Sequence, residues 1–321
     1  MEQESIAVSV LMLSYNHACY IHQALNSILV QQTDFQFEIL VGDDASQDDT
    51  AQIILDLAQN EPRIQPVLRP YNMGATKNLY DLQRRARGAY LAYLEGDDYW
   101  CDAHKLQKQV DFLTAHPDYI GCTHRCEIVD ELGKPYESQY LSWIAQKGRY
   151  TLRDFHGLVL PGHASTLVHR NIFLNSGGAY ESLITMHPLI GDRSLCLLLA
   201  SQGAIYQLPD TMSCYRCPRT AEGSNATAVA YTRNPNRIRE DYDYTKKLEA
   251  YAFQMLGENG GFLAHKKALF VSAVWAVLRH PSAQGFELVR QILCEGQPLN
   301  YLLALPAGVI RKLREKQKQG S

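Results

Sequence analysis

Gly88-Ala-Tyr-Leu-Ala-Tyr-Leu-Glu-Gly-Asp-Asp-Tyr-Trp100 is the stretch around which the rest of the chain is arranged. Ala89 to Leu94 form a short, nearly continuous apolar run, the pattern of a strand buried on both faces. It breaks into Glu95-Gly96-Asp97-Asp98, three carboxylates around one glycine. Carboxylates this close repel one another, so a fold crowds them where something positive neutralises them. A divalent cation with oxygen ligands meets that need, and such a cation commonly accompanies phosphates. A plain polar turn at a strand end is the alternative.

Upstream of this stretch the chain alternates between two periods. Val8 to Leu13 predicts a first buried strand, ending in Ser14-Tyr15-Asn16-His17; Tyr20 to Leu29 has helical spacing with Ile21, Leu25, Ile28 and Leu29 on one face. Phe37 to Val41 predicts a second strand running into Gly42-Asp43-Asp44-Ala45-Ser46-Gln47-Asp48-Asp49-Thr50, and a helix follows from Thr50 to Ala58. Ile64 to Leu68 gives a third strand, Asn72-Met-Gly74 a turn, and Lys77 to Arg87 a helix leading back to the central strand. Strand-helix alternation with short connections means a mostly parallel sheet covered on both faces, an α/β fold. The polar clusters at Ser14, Asp43 and Glu95 each follow a strand's C-terminus, the edge at which open parallel sheets bind ligands. No dinucleotide glycine fingerprint follows the first strand and no phosphate-loop Gly-Lys-Ser/Thr occurs, so a nucleotide here would be held by acids at its base and a metal on its phosphates.

With 321 residues the chain has material for one large or two modest domains, and a net charge of -3 with pI near 6.4 argues against a nucleic-acid partner. Met1 to Ser5 is acidic and polar, unlike a signal peptide, and the longest apolar run, Ala268 to Leu278, is too short to span a bilayer. The 8 scattered cysteines suggest reduced thiols and a cytoplasmic location. Cys122-Thr-His124-Arg-Cys126 and Cys214-Tyr-Arg-Cys217 would supply zinc ligands if they met in space, but the first of these alternates like a strand with core cysteines.

Taken together and in order, Val8-Ser-Val-Leu-Met-Leu-Ser-Tyr-Asn16, Gly42-Asp-Asp-Ala-Ser-Gln-Asp-Asp-Thr50, Asn72-x-Gly74 and Leu94-Glu-Gly-Asp-Asp-Tyr-Trp100 resemble the family 2 inverting glycosyltransferases, whose fold is the Rossmann-like GT-A type. The likeness continues through Lys105-Leu-Gln-Lys-Gln-Val-Asp-Phe-Leu113, Ser165-Thr-Leu-Val-His-Arg170, Gly191-Asp192 and Tyr215-Arg216, so it covers roughly residues 1–220. What it implies is a nucleotide-sugar half at about 1–100 and an acceptor half at about 101–220. The resemblance puts Tyr15, flanked by Ser14 and Asn16, against the base. It has Asp44 accepting a hydrogen bond from the base ring, Asp43 supporting it or facing the ribose, Lys77 near base and phosphates, and Glu95 at the ribose. Asp97 and Asp98 supply the ligands of a divalent Mn2+ or Mg2+, with Asp97 favoured by motif position. Asp192 stands where the family keeps its general base; an ordinary helix N-cap is the alternative, and the two are compatible. Trp100 and His163 are assigned to the acceptor, a structural histidine being the alternative for the latter. The family's late histidine is replaced here by Pro218.

The implied activity is metal-dependent transfer of a sugar from a nucleotide donor to a saccharide or lipid-linked acceptor. The competing readings are a sugar nucleotidyltransferase, for which Leu13 to Tyr20 lacks the glycine-rich basic loop, and a non-catalytic nucleotide-sugar binder. Residues 221–236 read as a mobile loop or a plain linker, and 237–321 as a helical region with helices over Tyr242–Leu256, Ala264–Leu278, Phe286–Cys294 and Leu299–Lys318. Basic residues after an apolar stretch make 301–318 a candidate for peripheral contact with the inner face of the cell membrane; a solvated terminal helix is the alternative.

Overall fold

In the computed structural model the described residues are 5–137, 141, 144–155, 159–217, 234–257, 262–295, 298–305 and 308. The chain divides into two compact units, Met1–Phe155 with Val159–Val229, and His156–Leu158 with Ala230–Ser321. The loop expected at 221–236 lies, but for its last three residues, outside the described residues, and so does the basic tail from 309 onward.

The first unit opens with β1 (Val8–Ser14), α1 (Ile21–Leu29), β2 (Phe37–Asp43), α2 (Thr50–Asn60), β3 (Ile64–Leu68), α3 (Ala75–Arg85) and β4 (Tyr90–Glu95). Every residue of β2 is buried, as is all of β1 except Leu13, which is what an unbroken apolar run requires of a strand covered on both faces. Next come β5 (Tyr99–Trp100), α4 (Lys105–Ala115), β6 (Tyr119–Val129), β7 (Arg149–Tyr150), β8 (Val168–Arg170), α5 (Glu181–Ile184), α6 (Asp192–Gln202) and β9 (Ala204–Arg216). They form one sheet in the order β3-β2-β1-β4-β8-β6-β9-β5, with β7 on β9. β3, β2, β1 and β4 are mutually parallel, as are β6 and β9, while β8, β5 and β7 run against their neighbours. The sheet is thus mostly parallel. Its core joins Val10, Met12, Ile39, Val41, Ala92 and Leu94 to the inner faces of α1 and α4.

Register aligns the acidic turns. Ser14 pairs with Asp43 across β1–β2, and Leu13 with Glu95 across β1–β4, so both turns leave the sheet at one edge. Pairing carries β2 through Gly42 and Asp43, two residues beyond the strand expected from the apolar run alone, because Asp43 finds partners in Ser14 and Leu68 on either side.

Lys105, the first residue of α4, is fully buried. Its Nζ donates to Gln109 Oε1 at 2.7 Å and lies 4.0 Å from the Trp100 ring centroid. Burial pulls its pKa from 10.5 down to about 7. From pH 7 to 10.5 the unfolded chain therefore binds the proton that the folded chain releases, and Lys105 contributes stability that rises with pH across that window and is lost as pH falls through it. Lys105→Met should flatten the rise of Tm between pH 7 and 9.5 relative to the parent; parallel curves in thermal melts would rule out a neutral lysine.

The second unit contains α7 (Arg237–Leu256), α8 (Leu263–Arg279) and α9 (Ala283–Glu295), and the backbone is helical again at 298–305. Tyr242, Leu269, Phe270, Ala273, Leu288, Ile292 and Tyr301 form its core. Lys266–Glu249 and Lys246–Glu295, each at 2.7 Å, tie α7 to α8 and α9. No helix among the described residues is long and apolar enough to cross a membrane.

Candidate active site

The turn after β4 is built by close approach. Gly96 N donates to Leu13 O at 2.8 Å, and a Cβ at Gly96 would meet His17 Nδ1 at 2.7 Å and Ile21 Cδ1 at 3.0 Å, so a glycine alone lets the acidic turn settle against the end of β1. Asp98 N closes the turn on Glu95 O at 3.1 Å.

Arg216, at the end of β9, straps this turn from the far side of the sequence. Its backbone N–H donates to Asp98 Oδ1 at 2.8 Å and its Nε to Asp97 O at 2.8 Å. The guanidinium also donates to Asp130 O, Glu131 O and Gln23 Oε1, with Tyr20 4.4 Å from its centre. Asp98 is thereby held on one oxygen, while its buried Oδ2 has no hydrogen-bond partner. That oxygen faces His163 Nδ1 at 3.8 Å, and Asp97 Oδ1, also buried and without a hydrogen bond, faces His17 Nε2 at 3.9 Å.

Charge accumulates here. Burial first, then Asp97 and Asp192, push the Glu95 carboxyl up to about 8. Burial first, then Asp97 and Glu95, drive Asp98 well above the carboxylate range, against the pull of Arg216. Asp192 thus stands close enough to the β4 turn to repel Glu95. Its own carboxylate accepts from Arg193 N at 2.8 Å. Asp192 is the first residue of α6 and Gly191 occupies the N-cap, so the capping role weighed for Asp192 falls to its neighbour.

Among the described residues, Glu95, Asp98 and His163 are the group of histidine, cysteine and acid donors that could share an ion, their ligand atoms lying within 4.8 Å of one another. Carboxylates crowded this closely, with buried oxygens of Asp97 and Asp98 left without hydrogen bonds, fit a divalent cation. The zinc arrangement does not form. Cys122 and His124 are buried in β6, with His124 Nδ1 against Arg125 O at 2.8 Å, and no cysteine group among the described residues has ligand spacing.

The donor-side residues occupy the same edge with varied surroundings. Ser14 is buried at the end of β1, its Oγ without a hydrogen-bond partner, and Tyr15 is 39% exposed beside it. Asn16, at φ 57, accepts from Gln47 N at 2.7 Å and donates its own N–H to Ser46 Oγ at 2.9 Å. Asp43 accepts from both Ser46 N and Ser46 Oγ. Asp44 accepts Met73 N at 2.8 Å and Gly74 N at 2.9 Å, so each of its oxygens already binds the loop before α3. Thr76 carries that loop onward: its N donates to Pro188 O and its hydroxyl to His187 O at 2.7 Å, which seats the segment leading to Asp192. Lys77 is exposed on the first turn of α3.

Two acceptor assignments change. Trp100 is 4% exposed, its indole N–H donates to Ser165 O at 3.0 Å, and its ring packs into the core, because β5 pairs with β9 and turns it inward. No face remains for a sugar. His163 is buried at 8% exposure, packed 4.4 Å from Tyr215, and belongs to the acidic cluster; burial lowers its pKa to about 4, which keeps the ring neutral. His17, directly after Ser14-Tyr15-Asn16 at the end of β1, joins this edge by facing Asp97.

The Glycosyl transferase family 2 profile matches residues 9–174, more than half of the 321-residue chain. An uncharacterized protein of Mycobacterium tuberculosis (strain H37Rv) is 36% identical over 216 residues, 65% of this chain and 58% of that protein, so the chain spans less than two thirds of that relative. The Escherichia coli UDP-Glc:alpha-D-GlcNAc-diphosphoundecaprenol beta-1,3-glucosyltransferase WfgD is 34% identical over 106 residues, 33% of this chain and 40% of that one. Among solved structures, S. aureus TarS 1-349 in complex with UDP-GlcNAc superposes with a TM-score of 0.63 at 17% identity, covering 94% of this chain and 82% of that one, a likeness of GT-A fold.

Proposed function

This chain belongs to glycosyltransferase family 2, and we propose that it moves a sugar from a UDP-sugar to a saccharide or lipid-linked saccharide, with inversion at the anomeric carbon and in dependence on a divalent metal. The observation that carries this reading is the crowding of Glu95, at the end of β4, with Asp97 and Asp98 in the turn after it, and with Asp192 at the start of α6 near enough to help raise Glu95. The similarity to WfgD, a UDP-Glc enzyme acting on a lipid-linked sugar, and to TarS, solved with UDP-GlcNAc, supports donor and acceptor class.

In this mechanism the exposed ring of Tyr15 packs on the base, beside Ser14, Asn16 and the Asp43–Asp44 turn. Asp44 fixes the Met73–Gly74 loop against the base pocket and keeps a lone pair for a ring N–H. Lys77, exposed on α3, offers charge to the phosphates. Glu95, at the end of β4, faces the ribose. Asp192 takes the proton from the acceptor hydroxyl as its oxygen attacks the anomeric carbon, and the nucleoside diphosphate leaves from the opposite face. Held by Asp97 and Asp98, Mn2+ or Mg2+ would supply the positive charge that the departing diphosphate needs.

Calorimetry with UDP tests the reading. UDP should bind at least ~10-fold more tightly with Mn2+ or Mg2+ than with chelator, a coupling of about 1.4 kcal/mol or more, and GDP should compete poorly. Equal affinity with and without metal removes the metal from the mechanism, and GDP competing as well as UDP removes the uridine assignment.

An acceptor borne on lipid would bring the enzyme to a membrane. Leu299, Leu302 and Leu303 are 76%, 48% and 78% exposed on a helical segment, and the sequence beyond continues into Arg311, Lys312, Arg314, Lys316 and Lys318. We expect weak, salt-sensitive sedimentation with anionic vesicles, reduced several-fold in Leu302→Glu/Leu303→Glu; unchanged sedimentation of that variant takes this surface out of the reading.

A further inference from the structure

We infer that His163 is itself a ligand of the divalent cation beside Asp98, that Glu95 joins them at the metal instead of facing the ribose and takes the place given to Asp97 above, and that the site therefore selects a transition ion such as Mn2+ over Mg2+. This rests on the metal-dependent reading above and deepens it. The resemblance points to Asp97 and Asp98 alone and gives His163 to the acceptor.

Three observations converge on the imidazole. Its ligand atom lies with those of Glu95 and Asp98 inside a 4.8 Å span, and Nδ1 is 3.8 Å from Asp98 Oδ2. Ligands about 2.0–2.3 Å from a shared ion stand at most roughly 4.6 Å apart, so a small adjustment brings all three donors into range. Asp98 cannot swing away to another partner, because Arg216 N holds Oδ1, and its Oδ2 is buried without a hydrogen bond. The histidine is fixed as well: its ring is packed against Tyr215, and Nδ1 accepts from Ser165 N at 3.3 Å and lies 2.9 Å from Ser165 Oγ. When a metal takes the Nδ1 lone pair, the long 3.3 Å contact is lost at little cost and the Ser165 hydroxyl, 2.9 Å away, turns its hydrogen to another acceptor.

The chemical consequence follows from ligand type. Mg2+ takes oxygen ligands in a strict octahedron and keeps its waters, whereas imidazole nitrogen suits first-row transition ions. Two carboxylates alone would serve either ion. A nitrogen in the set breaks that indifference.

The test uses the full chain with UDP, Mn2+ as the probe and electron paramagnetic resonance as the readout, independently of turnover. Bound Mn2+ should show the spin-echo modulation of a directly coordinated 14N. That modulation should persist in His17→Asn, which removes the other nearby imidazole, and vanish in His163→Gln. Mn2+ affinity should fall at least ~10-fold in His163→Gln while Mg2+ affinity, read by competition, changes by less than ~3-fold. Should His163→Gln fail to fold, the wild-type and His17→Asn spectra still decide. Mn2+ bound without nitrogen modulation, or His163→Gln keeping its Mn2+ affinity, overturns the inference and leaves the metal-dependent transferase standing. Failure of Mn2+ to bind with UDP present overturns both.

Discussion

Asp192→Asn should lower the transfer rate by ~10²-fold or more while UDP affinity and Tm stay near those of the parent. The asymmetry follows from where Asp192 sits. It is the first residue of α6, its carboxylate accepts Arg193 N at 2.8 Å, and Gly191 holds the N-cap. Asparagine keeps an Oδ1 acceptor for Arg193. The lost negative charge at a helix start costs about 0.3–1 kcal/mol, and removal of the repulsion with Glu95 offsets part of it. What asparagine cannot do is take a proton from an acceptor hydroxyl. A single displacement also requires that the product invert the donor's anomeric configuration. Near-normal turnover in Asp192→Asn, or a retained configuration, sinks the assignment. A fall in Tm that tracks the fall in rate would make Asp192 a support of α6 and no base.

The parts of this molecule that were legible beforehand are those encoded by local pattern. β1, β2 and β4 are apolar runs because both their faces are buried, and parallel register then brings Ser14, Asp43 and Glu95 to one edge without further information. Side-chain destinations were less legible, because segments far along the chain decide them. Asp98 owes its fixed carboxylate to Arg216, 118 residues later, and no spacing rule near Glu95 announces that strap. Trp100 follows the acids as a sugar-stacking ring would, yet pairing of β5 with β9 and a bond to Ser165 O turn it into the core. His163 lies in a loop where one histidine looks like any other, and only the meeting of that loop with β4 puts it beside Asp98. The double hold of Asp44 on Met73 and Gly74 was hidden likewise, since a carboxylate reads the same in sequence whether it faces a ligand or its own backbone.

The other large effect lies at the opposite end of the central stretch, where Gly88 marks the entry to β4. Gly88→Ala should destabilise the protein by about 3 kcal/mol or more, lowering Tm by on the order of 6–12 °C. A Cβ there would meet Ser9 N at 2.4 Å, Val8 C at 2.6 Å and Val8 Cα at 2.9 Å, all backbone of β1 and none able to rotate aside. Gly88 N donates to Ser9 Oγ at 2.8 Å, Ser9 Oγ donates to Glu38 Oε1 at 2.6 Å, and Arg87 Nε binds Glu38 Oε2 at 2.9 Å. Burial would raise the Glu38 carboxyl, but the bonds from Arg87 and Ser9 outweigh it and hold its pKa below the ordinary value. Pushing β4 from β1 to admit a methyl group breaks this buried network together with the ladder that aligns Leu13 with Glu95. The loss should therefore reach the site about 23 Å along the strands, roughly seven residues at 3.3 Å each. The metal-dependent UDP binding proposed above should then weaken along with Tm. Gly88→Ala melting with the parent would show that β1 yields at no cost, and the close approach of these two strands would lose its standing as the support of the acidic turn.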